Sequence, residues 1–561
     1  MDGSVNNSKE NYDNRPWLSH YDTHVPAHVS YPYTTLNANL EQAVEDYSDK
    51  PFLTFKGLTL TFLAVGKSIN ALAENLIQKG IKKGDRIALI LPNIPEFVIA
   101  YYAVLKAGGI VVALNPDYKL REFQSLLCDA QPKLIFCLGR NSRVIKEAAQ
   151  TMESNKFVVV QVENNIINEQ ELNVRNEDNQ SYYFEMVMTK SHKQKIKFPE
   201  ILPDDPAIFQ FTGGTTGIPK AAIGLHRNLI ANVNQFRLWC NLQPGKEKIL
   251  AAIPLYHVYG MVLALNMGAS IGAEVVLIDD PRDTDKILDE IENHSITFYP
   301  GVPAMYYAIN QNSKVKQGLC NLSSIKACIS GSAPLHPQIK KEFEELTGGK
   351  LVEGYGLSEA PTATHCNPLL GMNKPGSIGL PLPDVTCRVV DLNKGIEDVP
   401  VGEPGELILK GPQVMAGYYN SSQENQAAIR GGWLYTGDVV RMEDDGYFFI
   451  IDRKKSLIKV GGYQVWPNEI ESVLNSHPFI KESAVGGISD IEKDERVVAW
   501  IVLKDGCKLE PEEVVNWCKK SLIFYKLPTE VIIRNKIPRT NVGKILRREL
   551  ISEYNKKNPV Q

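Results

Sequence analysis

The sequence predicts a multi-domain α/β protein, with a large N-terminal domain of two α/β sub-domains plus a small antiparallel β unit, followed by a mobile small α+β C-terminal domain. A chain of 561 residues exceeds what one core organises and corresponds to about three to four folding units. Short apolar runs alternate with segments of helical spacing from Leu36 to Val162 and again from Asp205, the pattern of right-handed βαβ units around largely parallel sheets. Between Pro375 and Asp452 the runs are separated instead by Pro, Gly and Asp-Asp-Gly turns, which fits antiparallel pairing.

In chain order, residues 1–30 form a polar extension. Ser68 to Lys79 has helical spacing and stops at Gly80, a C-cap residue, after which Arg86 to Leu91 (RIALIL) is a buried strand. Helices at Glu96–Lys106, Leu120–Ala130 and Val144–Gln150 alternate with strands at Ile110–Leu114, Lys133–Cys137 and Phe157–Val162. Asn164 to Lys197 is Asn-, Glu- and Lys-rich with little periodicity and reads as a surface excursion between two similar halves. The second half holds the apolar run Ala207–Phe211, strands at Ile249–Pro254, Glu274–Ile278, Thr297–Tyr299, Lys326–Ser330 and Leu351–Tyr355, and a helix at Thr284–His294. Strands at Thr386–Val390, Glu406–Lys410 and Gly446–Ile451 make the antiparallel unit. The large domain thus covers 31–452, a charged hinge 453–456, and the small domain 457–561, with helices at Glu469–Ser476, Pro511–Ser521 and Leu546–Tyr554 and strands at Val497–Leu503 and Val531–Ile533.

Composition excludes several classes. Hydrophobic content of 43% with 22% charged residues is that of a globular chain, and 61 basic against 65 acidic residues give no basic surplus for nucleic acid. Nine cysteines without a C-x-x-C pair fit reduced thiols in a cytoplasmic protein. The start MDGSVNNSKENYDNRP lacks the basic and apolar regions of a signal peptide. Phe97–Leu114 is broken by Lys106 and Gly108-Gly109, and Val262–Ile278 carries Glu274, so neither spans a bilayer.

The stretch Thr212 to Lys220, TGGTTGIPK, organises the rest. Dense glycines and threonines let backbone N–H groups and hydroxyls curl around an anion, and the lysine adds charge. Ile218 and Pro219 separate Gly217 from Lys220, so this is not the G-x-x-x-x-G-K-[ST] loop, and the phosphate reading belongs to another fold. Short glycine loops also follow strands at Gly331–Leu335 (GSAPL) and at Tyr355–Ala360 (YGLSEA), where open α/β sheets bind ligands. YTGD at Tyr435–Asp438 adds a carboxylate on a tight turn.

The order of these motifs resembles the adenylate-forming superfamily, which contains acyl- and aryl-CoA synthetases, peptide-synthetase adenylation domains and beetle luciferases. The resemblance covers nearly the whole chain and extends to YHVYG from Tyr256, GEPGEL from Gly402, DRKKSLIKVGGY from Asp452 and PRTNVGKILRREL from Pro538. WLSHYDTHVPAHV, DDPRD at Asp279, GSIGLPLPD and GPQVMAGYY are closest to bacterial long-chain fatty-acid–CoA ligases. One departure is Ala221, where many members continue Lys-Gly.

The resemblance implies activation of a carboxylate by ATP to an acyl-adenylate with release of pyrophosphate, followed by displacement of AMP by the CoA thiol. It implies that Thr212, Gly213, Gly214, Thr215, Thr216, Gly217 and Lys220 form the phosphate loop, that Gly331, Ser332, Ala333 and Pro334 with Tyr355 bracket adenine, and that Glu353, Gly354, Gly356, Leu357 and Ser358 belong to the same ATP site. Glu359 would hold Mg²⁺, and Asp438 would accept from the ribose with Arg453 beside it. Lys544 would bridge carboxylate and α-phosphate, and Lys455 would be the hinge residue. Lys459 with Gly461, Gly462 and Tyr463 would serve the CoA step. His257, Val258, Tyr259, Gly260 and Met261 would border the acyl pocket, although a lone His after an apolar strand is also a structural hydrogen-bonder. Met261 to Gly272 reads equally as a tunnel wall or a buried helix.

Expected partners are therefore small molecules (fatty acid, ATP, CoA), with no nucleic acid, as a monomer or homodimer. A long-chain acid partitions into bilayers, so peripheral contact with the inner face of the cell membrane fits the substrate. An aryl or medium-chain acid, or a carrier protein in place of CoA, leaves the same framework intact. Chain-length preference and a degradative or biosynthetic role stay open.

Overall fold

The computed structural model describes residues 12–153, 157–162, 181–183, 196–212, 219–460, 463–490, 494–539 and 545–558. The chain divides into two compact units. The larger consists of Leu18–Thr386 and Lys410–Gly432; the other holds the segment ending at Trp17, Cys387–Leu409 and the chain from Trp433 onward. The antiparallel strands before Asp452 thus group with the C-terminal residues.

Two sheets build the larger unit. The first runs, in order, Ser181–Tyr183, Val158–Val162, Leu134–Leu138, Arg86–Ile90, Ile110–Ala113, Pro206–Thr212 and Lys220–Leu225. All its pairs are parallel except the last, a hairpin in which Thr212 faces Lys220. The apolar runs become interior strands because helices cover them. Ile90, Val112, Ile135, Phe123 and Leu127 pack into one buried cluster. Inside the expected excursion, Ser181–Tyr183 adds an edge strand, which three residues are too few to announce in sequence.

The second sheet has nine strands, and its central order is Ala360–Cys366, Lys350–Leu357, Ala327–Ser330, Phe298–Gly301, Lys248–Ala251 and Glu274–Leu277. Its far edge corrects the expectation of two sequential halves: the hairpin Pro51–Phe55 and Leu58–Thr61 joins here, parallel to Glu274–Leu277. The hairpin turns through Lys56 and Gly57, both at positive φ (+49° and +81°), the two-residue geometry that suits the twist of paired strands. Thr61 then caps the next helix, accepting from the Ala64 N–H at 3.2 Å, so that helix spans Phe62–Gln78 and begins earlier than its apolar spacing suggested.

In the smaller unit, Gly405–Lys410, Trp433–Met442 and Phe448–Arg453 pair antiparallel, as the turn-rich sequence predicts. A further sheet is ordered Tyr463–Val465, Ile458–Val460, Asp494–Leu503 and Ile480–Asp490, with Glu530–Ile533 parallel to Asp494–Leu503. The strand Ile480–Asp490 is missing from the sequence reading because Gly486-Gly487 and flanking charges mask its alternation. None of the nine cysteines forms a disulfide, and no described helix is long and apolar enough to cross a membrane.

Candidate functional site

Of the glycine–threonine run, Gly213, Gly214, Thr215, Thr216 and Gly217 lie outside the described residues, but both flanks are described. Pairing of Thr212 with Lys220 brings the flanks together, and the Lys220 ammonium lies 3.1 Å from Glu424 and 5.6 Å above the Tyr418 ring. Leu357 pairs with Ala360, so Ser358 and Glu359 form the two-residue turn of a hairpin and Glu359 projects from its tip. Its carboxylate accepts from the Tyr418 hydroxyl at 2.7 Å. Tyr418 thus joins Lys220 to Glu359, two residues the sequence had related only by resemblance. Within GPQVMAGYY, Tyr418 has no sequence signal that marks this role, since a tyrosine in a loop carries none of its own.

The two glycine loops owe their shape to close backbone contacts. At Gly356 a Cβ would stand 1.8 Å from the Thr362 carbonyl oxygen, so only glycine fits. Ser332 has φ +68°, and a Cβ at Gly331 would meet the Tyr259 ring at 3.1 Å. The Tyr259 hydroxyl donates to the carbonyls of Gly301 and Ile329 at 3.1 and 2.7 Å, tying two strand ends together beneath the loop. Glu353 accepts from the Leu335 N–H at 3.1 Å and fixes the loop's exit. Tyr355 is buried edge-on against His365, at 5.8 Å between ring centroids. Asn232 braces the facing strand, accepting from the Thr362 N–H at 2.8 Å and donating to the Ala363 carbonyl at 2.8 Å.

His257 caps the short helix Val258–Gly260, its Nδ1 accepting from the Tyr259 N–H at 3.2 Å. An accepting Nδ1 leaves the proton on Nε2, so the ring's remaining capacity is as a donor, which suits a carboxylate oxygen. The residue is only half-buried by surface, yet protein packed around the ring lowers its pKa to about 4 by desolvation, and the imidazole is neutral at pH 7. Val258, Tyr259, Gly260 and Met261 are buried, and Met261–Asn266 forms a π-helical turn with every residue buried. The helix Met267–Ile271 continues this mostly buried run and ends at Gly272, a left-handed C-cap with φ +65°.

Buried titratable groups here give stability a pH optimum. Desolvation lowers His226 and His257 to about 4 and His365 to about 3, while burial raises Glu353 to about 8. Below the ordinary imidazole value of 6.5 the unfolded chain binds protons that the fold refuses, so the histidines' contribution is lost as pH falls toward 4. Glu353 acts oppositely: its carboxyl stays protonated in the fold, and stability is lost as pH rises from the ordinary 4.5 to about 8. The three imidazoles outweigh the carboxyl below about 6.5, and the carboxyl outweighs them as pH rises toward 8. Melting temperature is expected to peak near pH 6.5 and to drop by roughly 5 °C at pH 5. Glu353→Gln should flatten the alkaline limb, and an unchanged limb in calorimetry would contradict the assignment.

In the smaller unit, Asp438 is almost fully buried and pairs with Arg453, Nε to Oδ1 2.6 Å, across directly opposed strand positions. The turn before it is held by the Thr436 hydroxyl, which donates to the Leu407 carbonyl at 2.8 Å and accepts from the Asp438 N–H at 3.1 Å. Glu406 accepts from the Gly437 N–H at 3.2 Å and from Lys454 at 2.7 Å. Lys455 is exposed in the short turn Lys454–Ser456, and Lys459 is exposed on the strand Ile458–Val460. Tyr463 is half-exposed and stacks on Tyr525 at 4.3 Å and 8°. Gly461, Gly462 and Lys544 lie outside the described residues.

A family model described as AMP-binding enzyme matches residues 40–419, and a second, AMP-binding enzyme C-terminal domain, matches residues 469–544. The chain is 39% identical over 554 residues to a long-chain-fatty-acid--CoA ligase of Bacillus subtilis, covering 96% of this chain and 98% of that one. A ligase of the same name from Escherichia coli is 34% identical over 96% of this chain and 98% of its own length. Among solved structures, ATP-bound MatB from Rhodopseudomonas palustris superposes with a TM-score of 0.82 at 26% identity, covering 93% of this chain and 100% of that one. The AMP complex of O-succinylbenzoate coenzyme A synthetase from Bacillus subtilis gives 0.78 at 26%, covering 92% and 98%.

Proposed function

Because the chain belongs to the AMP-binding enzyme family, we propose that it is a long-chain fatty-acid–CoA ligase, converting fatty acid, ATP and CoA to acyl-CoA, AMP and pyrophosphate. The observation that carries this reading is near full-length likeness to ligases of that name. A carboxylate is a poor acceptor for a thiol, so it first attacks the α-phosphate of ATP, and pyrophosphate leaves. The thiol then attacks the acyl carbon of the adenylate and AMP leaves. The first step opposes two anions, so the site has to neutralise charge and hold the reactants in line.

In this reading Thr212, Thr215, Thr216 and Lys220 hold phosphates, the loops at Gly331–Pro334 and Glu353–Ser358 enclose the base, and Asp438 with Arg453 holds the ribose. Lys544 bridges the reacting carboxylate and α-phosphate, and the Nε2–H of His257 orients the acyl carboxylate. Val258 to Met261 border the acyl chain. Glu359 fits a Mg²⁺ ligand: it offers hard oxygen at a hairpin tip, and no group of three or more metal-binding side chains occurs among the described residues. One carboxylate suits a cation held mainly by phosphates and water, which when bound offsets phosphate charge. Rotation about Lys455, within the hinge 453–456 between a large domain 31–452 and a small domain 457–561, would exchange Lys544 for Lys459 and the Gly461–Tyr463 turn in the CoA step. The enzyme would be cytoplasmic, a monomer or homodimer, and peripheral on the membrane's inner face, where its substrate partitions.

The test is acyl-CoA formation by purified protein with Mg²⁺, ATP and CoA across a graded acid series. Each buried methylene contributes roughly 0.8 kcal/mol, so turnover should favour acids of about twelve to eighteen carbons. Preference for an aryl or medium-chain acid would overturn the substrate, and turnover with CoA omitted would point to a carrier protein.

A further inference from the structure

The segment Ala416–Tyr419 is built beside the strand Lys220–Leu225. The Ala416 N–H donates to the Ile223 carbonyl at 3.0 Å, the Ile223 N–H to Gly417 at 2.9 Å, and the Tyr419 N–H to Ala221 at 2.9 Å. Asn425 then closes the loop on itself: its Oδ1 accepts from the Tyr418 N–H at 2.5 Å and its Nδ2 donates to the Tyr418 carbonyl at 2.9 Å. Gly417 permits this, with φ +139° and a would-be Cβ 2.9 Å from Asn425 Oδ1. The short helix Ser422–Ala428 is thereby held so that Glu424 reaches Lys220, while the same loop's Tyr418 reaches Glu359.

Glu424 is an acid placed on the lysine expected to receive phosphate. Its side chain is 40% exposed and that of Lys220 21%, so the carboxylate can swing toward water while the ammonium stays enclosed over the Tyr418 ring. We propose that Glu424 competes with nucleotide phosphate for Lys220, so that ATP binding displaces the ion pair and its return favours pyrophosphate release. The inference rests on reading Lys220 as a phosphate ligand. Glu424 is a positioning residue: it sets the availability of the lysine and touches no reacting atom.

The sign of its effect separates this role from a structural one. Losing a structural brace loosens the site and weakens ATP binding, whereas losing a competitor tightens it. With the full-length protein, Glu424→Gln is expected to lower KM for ATP and the inhibition constant for pyrophosphate together, by about 3- to 10-fold, with kcat unchanged or reduced. Glu424→Asp, which keeps the charge but shortens the reach, should fall between. In a Lys220→Gln background, Glu424→Gln should have no further effect on KM. A raised or unchanged KM for Glu424→Gln beside a weakened Lys220→Gln would overturn the competition alone. ATP affinity unaffected by Lys220→Gln would overturn the phosphate-site reading beneath it.

Discussion

Lys544→Ala is expected to reduce acyl-adenylate formation by about a hundredfold or more, the scale lost when one preorganised charge is removed from a developing transition state. Thioester formation from supplied acyl-adenylate should be spared. The split follows from the chemistry: only the first step forces a carboxylate against a phosphate, and only there does one cation help both reactants. The flanks of the segment carrying Lys544 are paired, Arg539 bridging to Ile545 and the Leu546 N–H donating to the Pro538 carbonyl at 2.9 Å. Rapid-quench measurement of adenylate, with thioester formation assayed separately from synthetic acyl-adenylate, reads the two steps apart. Equal loss of both would refute the division of labour between Lys544 and Lys459.

Gly356→Ala should have the largest effect on stability, at least about 3 kcal/mol, and is expected to deplete soluble folded protein. The added methyl would lie 1.8 Å from the Thr362 carbonyl oxygen and 2.6 Å from the Ala363 Cα. Both are backbone atoms of a strand that Asn232 pins from the other side, so no rotamer change relieves the clash. Gly376→Ala is the control. It has φ +78° but nothing within 4 Å of the added carbon, and strain alone should cost about 1 kcal/mol. Similar denaturation midpoints for the two variants would contradict the packing argument.

Most parallel strands of the two sheets were legible because each is a short apolar run between helices of clear periodicity; Ser181–Tyr183 and Pro51–Phe55 are the exceptions. Arg86–Ile90, Thr386–Val390 and the helices Leu120–Ala130 and Thr284–His294 lie at or within a residue of their sequence positions. The N-terminal hairpin escaped although Lys56-Gly57 is a recognisable turn pair, and its sheet partner lies over two hundred residues away, beyond any local pattern. The charged positions of the candidate site were legible only through their motifs. The contacts that organise them were not, because Glu424 on Lys220 and Tyr418 on Glu359 depend on a loop brought alongside Lys220–Leu225 by backbone hydrogen bonds. The bonds of the Tyr259 hydroxyl to strand ends beneath Gly331 have no local sequence signal either.

A single-turnover chase separates the two steps of a reaction that runs through an enzyme-bound adenylate. The protein is mixed with Mg²⁺, α-labelled ATP and a long-chain acid without CoA, and CoA is then added. An acyl-adenylate is expected to approach one equivalent of enzyme, with pyrophosphate released beside it, and to convert to acyl-CoA and AMP on the chase. Release of ADP and phosphate, or acyl-CoA formed with no adenylate preceding it, would contradict the two-step reaction.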